Sequence, residues 1–249
     1  MASDGTAHGE SAQPEQLAQI YRHRFDDDDR AFKVAMWKVL CRDYFQRFVA
    51  PSDTVLDLGA GSCEFVNAID ATRKIAVDLN PDTPQSAEDA EVLAQPVTDL
   101  SPVPDGSVDV VFSSNVLEHL DTKAAVLRTL QESHRVLRTG GTCIILMPNV
   151  RYLPGRYWDY FDHHTPLSHL SLAEGMTLAG FEVTQVIPRF LPYTVKSAGA
   201  AARRVGLVRL YLRVPWVWPL LGRQMLVVGT KPSASAVEPI SEGVAVTSS

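Results

Sequence analysis

The sequence predicts an α/β protein built on a mostly parallel sheet with helices on both faces. Short apolar segments, typical of buried parallel strands, alternate with segments of helical periodicity. The most informative stretch is residues 54–61, where an apolar strand runs into a turn that contains Gly59 and Gly61. About 20 residues later a second apolar run ends in Asp78, the spacing expected for an acid at the tip of the next strand.

Apolar runs and helical spacing place the elements along the chain. Strands are predicted near residues 54–58, 74–78, 94–97, 108–113, 142–147, 181–187 and 224–230. Helices are predicted near residues 15–25, 30–49, 62–70, 85–91, 122–137 and 171–179. Gly180 is expected to end the last of these helices as a C-cap.

The glycine turn and the acid predict a nucleoside site. Glycines let the backbone approach a ligand, and an acid at the tip of the second strand accepts hydrogen bonds from ribose hydroxyls. A dinucleotide-binding turn has a third glycine three residues after the second, but this chain has Glu64 there, which would repel a pyrophosphate. A ligand with a cationic sulfonium and an amino-acid tail tolerates that acid, and Asp57 could meet its ammonium directly or through water.

Taken together, the motifs of residues 54–149 resemble class I S-adenosylmethionine-dependent methyltransferases of the small bacterial type. The matching segments are residues 55–61, 76–81, 97–100, 104–111, 113–120 and 137–149. The chain departs from the family pattern at Cys63, where many members have a third glycine. The resemblance implies a Rossmann-like class I methyltransferase fold, a mostly parallel seven-stranded sheet whose last two strands form an antiparallel pair. It also implies that the helices of residues 14–50 form a cap.

The same resemblance implies S-adenosylmethionine as the cofactor and names its site. Asp78 would bind the ribose, Asp99 would contact the adenine amino group, and Asn115 would line the pocket. The full predicted cofactor set is Asp57, Gly59, Gly61, Asp78, Leu79, Asp99, Leu100 and Asn115.

Residues 151–170 form a predicted substrate loop rich in aromatic and imidazole groups, at the carboxyl edge of the sheet where ligands bind in open α/β folds. His163 and His164 are the predicted bases that deprotonate an acceptor hydroxyl, and Asp162 could orient an imidazole or contact substrate. The alternative is that these histidines serve as caps or surface groups. No metal site is predicted, because no matching carboxylate or cysteine spacing accompanies His163, His164 and His169.

Residues 189–223 form a predicted basic, apolar insertion that acts as a lid. The segment holds seven basic residues and no acid, which leaves 16 of the 23 basic residues against all 29 acids elsewhere. Three interpretations stay open: contact with a membrane interface, binding of substrate phosphates, or a lid packed on the domain with its arginines in water. The arginines share no single helical face, and a nucleic acid partner is not expected because the whole chain is acidic, with a net charge of −6.

Composition predicts one domain, residues 14–231, between disordered ends at residues 1–13 and 232–249. The cysteines at 41, 63 and 143 show no paired spacing, which favours a reduced, cytoplasmic protein. No signal peptide or membrane span is expected, so any membrane contact would be peripheral, through residues 189–223 on the inner face of the plasma membrane.

The second half of the chain, above all residues 162–170 and the insertion, is loosely similar to methyltransferases of bacterial surface polysaccharide and glycolipid pathways. The predicted reaction is therefore O-methylation of a sugar hydroxyl on a nucleotide-linked or lipid-linked glycan. One alternative is methylation of a quinone, a natural product or another small metabolite. The other is a cofactor-binding module without turnover, against which the joint presence of Gly59, Gly61 and Asp78 argues.

Overall fold

The structure, a computed structural model, describes residues 27–192 and 205–233. The predicted helix at 15–25, the expected disorder at 1–13, and most of the predicted tail at 232–249 lie outside these ranges. Of the seven basic residues of the predicted insertion, three lie outside the described ranges: Lys196, Arg203 and Arg204.

Seven strands form one mixed sheet in the order β3-β2-β1-β4-β5-β7-β6. β1 to β5 run parallel, and β7 is antiparallel to both of its neighbours, β5 and β6. This confirms the predicted class I methyltransferase topology, including the antiparallel pair at one edge. The strands are β1 (Thr54–Leu58), β2 (Arg73–Val77), β3 (Glu91–Leu93), β4 (Val108–Ser114), β5 (Leu137–Pro148), β6 (Glu182–Leu191) and β7 (Gln224–Thr230).

Helices of very different length connect these strands. The α-helices are α1 (Asp27–Asp43), α2 (Glu64–Ala68), α3 (Thr83–Ser86), α4 (Lys123–Val136), α5 (His169–Leu178), α6 (Val205–Leu212) and α7 (Trp218–Leu221). Short 3₁₀ helices lie at Phe45–Phe48, Leu117–His119 and Pro215–Val217.

Side-chain caps fix the starts of α4 and α5. Thr122 Oγ1 accepts a hydrogen bond from the Ala125 amide at 3.1 Å at the start of α4. Ser168 and Ser171 cap each other's backbone at the start of α5. Each cap satisfies amide groups that have no partner within the helix, which sets the register of the following turn.

Two predicted elements are displaced. The third strand was expected at 94–97 but lies at Glu91–Leu93, where it pairs in parallel with residues 75–77. Pro96 has no amide hydrogen, so the predicted segment cannot supply a regular ladder. The helix expected at 85–91 is a single turn at Thr83–Ser86, with a proline at its start.

The sheet separates two hydrophobic layers. On one face α4 and α5 pack through residues such as Leu130, Leu172 and Met176. On the other face α1 packs with the inserted helices α6 and α7, and the layer includes Trp37, Leu212 and Trp218.

The described part of the insertion is therefore partly core rather than only a lid. Tyr211 donates its hydroxyl hydrogen to the Phe190 carbonyl at 2.6 Å, and Arg209 pairs with Asp43 of α1 at 3.1 Å. The insertion leaves the sheet after Leu191 and returns at Gln224, which pairs with Pro148 at the end of β5. It thus starts and ends at the edge where the parallel strands have their carboxyl ends. Across the two described ranges, no helix has both the length and the apolar character that a membrane span requires.

Candidate cofactor and active site

The turn after β1 combines one closely packed glycine with one open glycine. Gly59 (φ +76°) donates its amide to the Val77 carbonyl at 2.8 Å, and a Cβ placed on it would lie 2.2 Å from Cγ2 of Val116. Gly61 (φ +53°) has no atom within 4 Å of an added Cβ. The first glycine therefore lets the segment after β4 pack on the turn, and the second leaves space beside the backbone.

Cys63 occupies the left-handed region, with φ +62°. This is the position where the family pattern has a glycine, and a positive φ is the physical reason that glycine suits it. The Cys63 side chain is fully buried, and its Sγ donates a hydrogen bond to the Thr83 carbonyl at 3.7 Å. Burial raises the pKa of the Cys63 thiol to about 12, so it stays protonated at neutral pH.

Asp78 follows β2 and binds the glycine turn directly. Its Oδ2 accepts a hydrogen bond from the Gly61 amide at 2.7 Å, and its Oδ1 accepts one from the Asn80 amide at 2.8 Å. The side chain is half-buried, and the neighbouring Leu79 is exposed. The two sequence features that predicted a nucleoside site are thus joined by a hydrogen bond.

Asp57 is a buried acid beneath this turn. Burial raises its pKa well above the usual range, and the negative charges of Glu64 and Asp78 raise it further. Glu64 in turn pairs with Lys33 of α1 at 2.9 Å. Three carboxyl groups around one glycine turn form a site that favours a cationic ligand and disfavours a phosphate.

The remaining predicted cofactor residues, Asp99, Leu100 and Asn115, lie on two loops. Asp99 accepts a hydrogen bond from the Ser101 amide at 3.0 Å, and Leu100 is buried with its amide donating to Glu132. Asn115 follows β4 with φ +55°. Its Oδ1 accepts a hydrogen bond from Gln224 Nε2 at 3.3 Å, which ties the end of the insertion to the end of β4.

The three histidines of the substrate loop have different surroundings. His163 Nδ1 lies 2.6 Å from the Tyr157 carbonyl oxygen, in contact with aromatic rings. His164 is exposed, and its Nε2 lies 3.8 Å from Asp121. His169 is buried at the start of α5, where its Nδ1 lies 3.0 Å from Asn149 Nδ2. The structure therefore separates the histidine pair and gives His169 a structural position.

A cluster that the sequence did not predict forms around His119. His119 Nδ1 lies 2.9 Å from the Asp162 carbonyl oxygen and 3.3 Å from Asp162 Oδ2. Its ring meets the His163 ring at a centroid distance of 4.9 Å. Asp162 thus faces His119 through both its carbonyl and its carboxylate oxygens. The available signal was the position of Glu118-His119 directly after β4, at the ligand-binding edge.

Comparisons with known proteins agree with this architecture. Residues 56–145 match the family model described as a methyltransferase domain. A probable S-adenosylmethionine-dependent methyltransferase of Mycolicibacterium smegmatis is 40% identical over 91 residues, which cover 36% of this chain and 34% of the relative. An uncharacterized 37.1 kDa protein in transposon Tn4556 of Streptomyces fradiae is 26% identical over 223 residues, which cover 80% of this chain and 61% of the relative. The chain thus spans about a third of the length of the first curated relative and about three fifths of the length of the second.

Solved structures show the same fold at low sequence identity. The Haloferax volcanii protein solved in complex with the Trm112 methyltransferase activator has a TM-score of 0.64 and 22% identity, covering 90% of this chain and 100% of its own. A SAM-dependent methyltransferase of Thermotoga maritima has a TM-score of 0.61 and 19% identity, and the match covers 87% of this chain and 97% of that protein.

The fold is that of class I methyltransferases, and residues 56–145 match the methyltransferase-domain model. The name of the Mycolicibacterium smegmatis relative, a probable S-adenosylmethionine-dependent methyltransferase, agrees with the resemblance inferred from the motifs. The residues present fit that cofactor: the open side of Gly61 admits a ligand beside the backbone, and the acids Asp57, Glu64 and Asp78 suit a sulfonium and an ammonium.

Proposed function

We propose that the protein transfers a methyl group from S-adenosylmethionine to an oxygen nucleophile. The observation that carries this proposal is the hydrogen bond between the Gly61 amide and Asp78, which brings an acid and an open glycine together after β1. S-adenosylmethionine, when bound, supplies a methyl group on a cationic sulfur. The protein contributes position, exclusion of water and charge complementarity.

The predicted cofactor residues have separate tasks in this proposal. Gly59 and Gly61 admit the ligand along the backbone, Asp78 accepts hydrogen bonds from the ribose, and Asp57 lies on the side of the ammonium. Asp99, with Leu79 and Leu100 beside the adenine, would select the base. Asn115 would line the pocket where β4 ends, held in place by Gln224.

For the proton of the acceptor, His163 and His164 are the proposed bases. Replacing each histidine with alanine tests this role, with turnover measured at saturating acceptor so that a binding defect is not mistaken for a chemical one. A loss of about 100-fold or more in kcat for one variant is the expected result for a general base. Normal kcat in both variants would overturn the role of the pair.

The proposed acceptor is a sugar hydroxyl on a nucleotide-linked or lipid-linked glycan. An apolar cleft of about 350 Å³ separates the substrate loop from the insertion, and its lining includes Tyr152, Arg189 and Trp218. Arg189 lies 5.0 Å from the Tyr152 ring centroid, so a cation and an aromatic surface stand at one end of an apolar space. Such a cleft suits a ligand with both an anionic and an apolar part.

The test is titration calorimetry with S-adenosylmethionine and S-adenosylhomocysteine, followed by an acceptor screen that measures S-adenosylhomocysteine formation. Turnover with nucleotide sugars or lipid-linked sugars is the expected result. Turnover only with quinones or other small metabolites would leave the methyltransferase activity and reject the glycan. Cofactor binding without turnover on any acceptor would favour a binding module, and absence of cofactor binding would contradict the proposed function itself.

A further inference from the structure

Three metal-ligating side chains converge at the ligand-binding edge of the sheet. They are His119, at the end of the 3₁₀ helix after β4, and the adjacent Asp162 and His163 of the substrate loop. One ligand atom from each side chain lies within 4.8 Å of those from the other two. All three residues are half-buried, so they are more exposed than core residues and less exposed than surface side chains.

Both imidazoles are held in the tautomer that a metal ion requires. A carbonyl oxygen only accepts hydrogen bonds, so the Nδ1 atom of His163, 2.6 Å from the Tyr157 carbonyl, carries the hydrogen. The Nδ1 atom of His119 donates in the same way to the Asp162 carbonyl at 2.9 Å. In this tautomer each ring has its lone pair on Nε2, so an ion shared by all three side chains requires the Asp162 carboxylate, 3.3 Å from His119 Nδ1, to turn toward the Nε2 side of that ring. Fixing a ligating histidine through a hydrogen bond from its other nitrogen is the usual support of a protein metal site.

A buried acid beside the cluster is incompletely satisfied. Glu118 is fully buried, and its Oε1 accepts a hydrogen bond from the Tyr157 hydroxyl at 2.8 Å. Its Oε2 has no hydrogen-bond partner among the described residues. A buried carboxylate oxygen without a partner is costly, and a nearby cation offsets that cost.

We propose that His119, Asp162 and His163 bind a divalent transition-metal ion such as Zn²⁺ or Mn²⁺. Two imidazoles and one carboxylate suit such an ion better than Ca²⁺ or Mg²⁺, which prefer oxygen ligands. Three protein ligands leave positions open for water or for an oxygen of another molecule.

The position of this site relates it to the proposed function. The His119 amide bonds to the carbonyl of Val116, the residue that packs on Gly59 of the cofactor turn. An ion here would bind an acceptor oxygen and favour its deprotonated form. That role rests on the proposed methyl transfer, whereas binding of the ion does not. An ion on His163 would also remove that residue from the pair of proposed bases.

The test measures ion binding without cofactor or acceptor. The full chain is treated with a chelator, dialysed, and titrated with Zn²⁺ and separately with Mn²⁺ by calorimetry, and its Tm is compared with and without each ion. One ion per chain and a rise in Tm are expected for at least one metal, because a ligand of the native state stabilises it. His119→Ala, Asp162→Asn and His163→Ala should each weaken binding by roughly tenfold or more.

His164→Ala is the matched control, since this neighbouring histidine lies outside the cluster. It should retain the wild-type ion affinity, and circular dichroism of every variant in chelator should match that of the wild type. Absence of stoichiometric binding of either ion would overturn the inference. So would equal affinity in the wild type, Asp162→Asn and His163→Ala, which would place the bound ion elsewhere on the chain. Because this readout does not involve methyl transfer, its failure is distinguishable from failure of the proposed function.

Discussion

The Oδ2 atom of Asp78 accepts a hydrogen bond from the Gly61 amide at 2.7 Å. This contact joins the turn after β1 to the residue that follows β2, so the acid has a structural task before any ligand binds. The other carboxylate oxygen holds the Asn80 amide. A carboxylate has more than two acceptor directions, so Asp78 can hold its own loop and still accept hydrogen bonds from a ribose.

Asp78→Ala is expected to weaken S-adenosylmethionine binding by about 10- to 100-fold, because a hydrogen bond to a charged group contributes about 1.5–3 kcal/mol. Titration calorimetry with S-adenosylmethionine and S-adenosylhomocysteine measures the loss, and both ligands should be affected because they share the ribose. Asp89→Ala, at an exposed position between α3 and β3, is the control and should retain wild-type affinity. Unchanged affinity in Asp78→Ala would exclude Asp78 as the ribose ligand.

Replacing the two glycines separates folding from binding. Gly59→Ala should destabilise the protein by more than about 2 kcal/mol, because two effects add. Alanine is strained at this positive φ, and its Cβ would lie 2.2 Å from Cγ2 of Val116. Gly61→Ala meets no neighbouring atom and should cost only about 1 kcal/mol, from its positive φ. Its new methyl group would occupy the open side of the turn, so cofactor affinity should fall far more than stability.

Urea unfolding and calorimetry on the two variants measure these effects, and each variant is the control for the other. Wild-type cofactor affinity in a folded Gly61→Ala protein would contradict the position given to the ligand.

The cofactor half of the site could be predicted because its signals are local. The bounds of β1 and β7 agree with the sequence prediction at every residue, and Asp78 accepts a hydrogen bond from the Gly61 amide. The motif depends on short spacings within one strand-turn-helix unit, where neighbouring residues largely determine the geometry. The glycine that the family has at the position of Cys63 likewise has a local cause, because that position adopts a positive φ.

The substrate half could not be predicted in the same way, because it depends on contacts between distant segments. His119 and Asp162 are far apart in the chain, and only the folded loop brings them within 3.3 Å. His163 and His164 are predicted to act as a pair because they are adjacent in the sequence. The side chains of successive residues in an extended loop, however, point to different sides. The insertion showed the same limit, since Leu212 and Trp218 join a core layer that no periodicity within the segment predicts.

The buried carboxyl group of Asp57 should make stability depend on pH. Burial, followed by the charges of Glu64 and Asp78, raises its pKa above the value near 3.9 of an unfolded chain. A raised pKa stabilises the fold below about pH 4, and that contribution is lost as the pH rises through the folded pKa. Asp57→Asn, which stays neutral, should therefore gain stability over the wild type as the pH increases.

We expect the free energy of unfolding of Asp57→Asn to exceed that of the wild type by on the order of 1–3 kcal/mol at pH 8. The difference should shrink toward pH 4.5. Urea unfolding at both pH values, without cofactor, measures it. A difference that is constant between the two pH values, or that grows toward acid, would contradict this account. The same variant should bind S-adenosylmethionine more weakly if Asp57 meets its ammonium.

The described part of the insertion presents an apolar surface with arginines beside it, which predicts binding to anionic membranes. Trp216 is 74% exposed and Leu220 is 65% exposed, with Arg213 and Arg223 in the same segment. Trp216→Ala combined with Leu220→Ala should lower the partition coefficient onto phosphatidylglycerol vesicles by about 100-fold or more, because each large apolar side chain withdrawn from water contributes about 1.5–3 kcal/mol. Leu178→Ala, which removes an exposed leucine from α5, is the matched control and should bind as the wild type does.

Sedimentation with phosphatidylglycerol and with phosphatidylcholine measures the difference, and binding should weaken as salt increases because the arginines attract the anionic headgroups. Equal recovery of the wild type in the supernatant with and without anionic lipid would reject membrane contact, and the insertion would then act through its packing on α1 and its border with the apolar cleft.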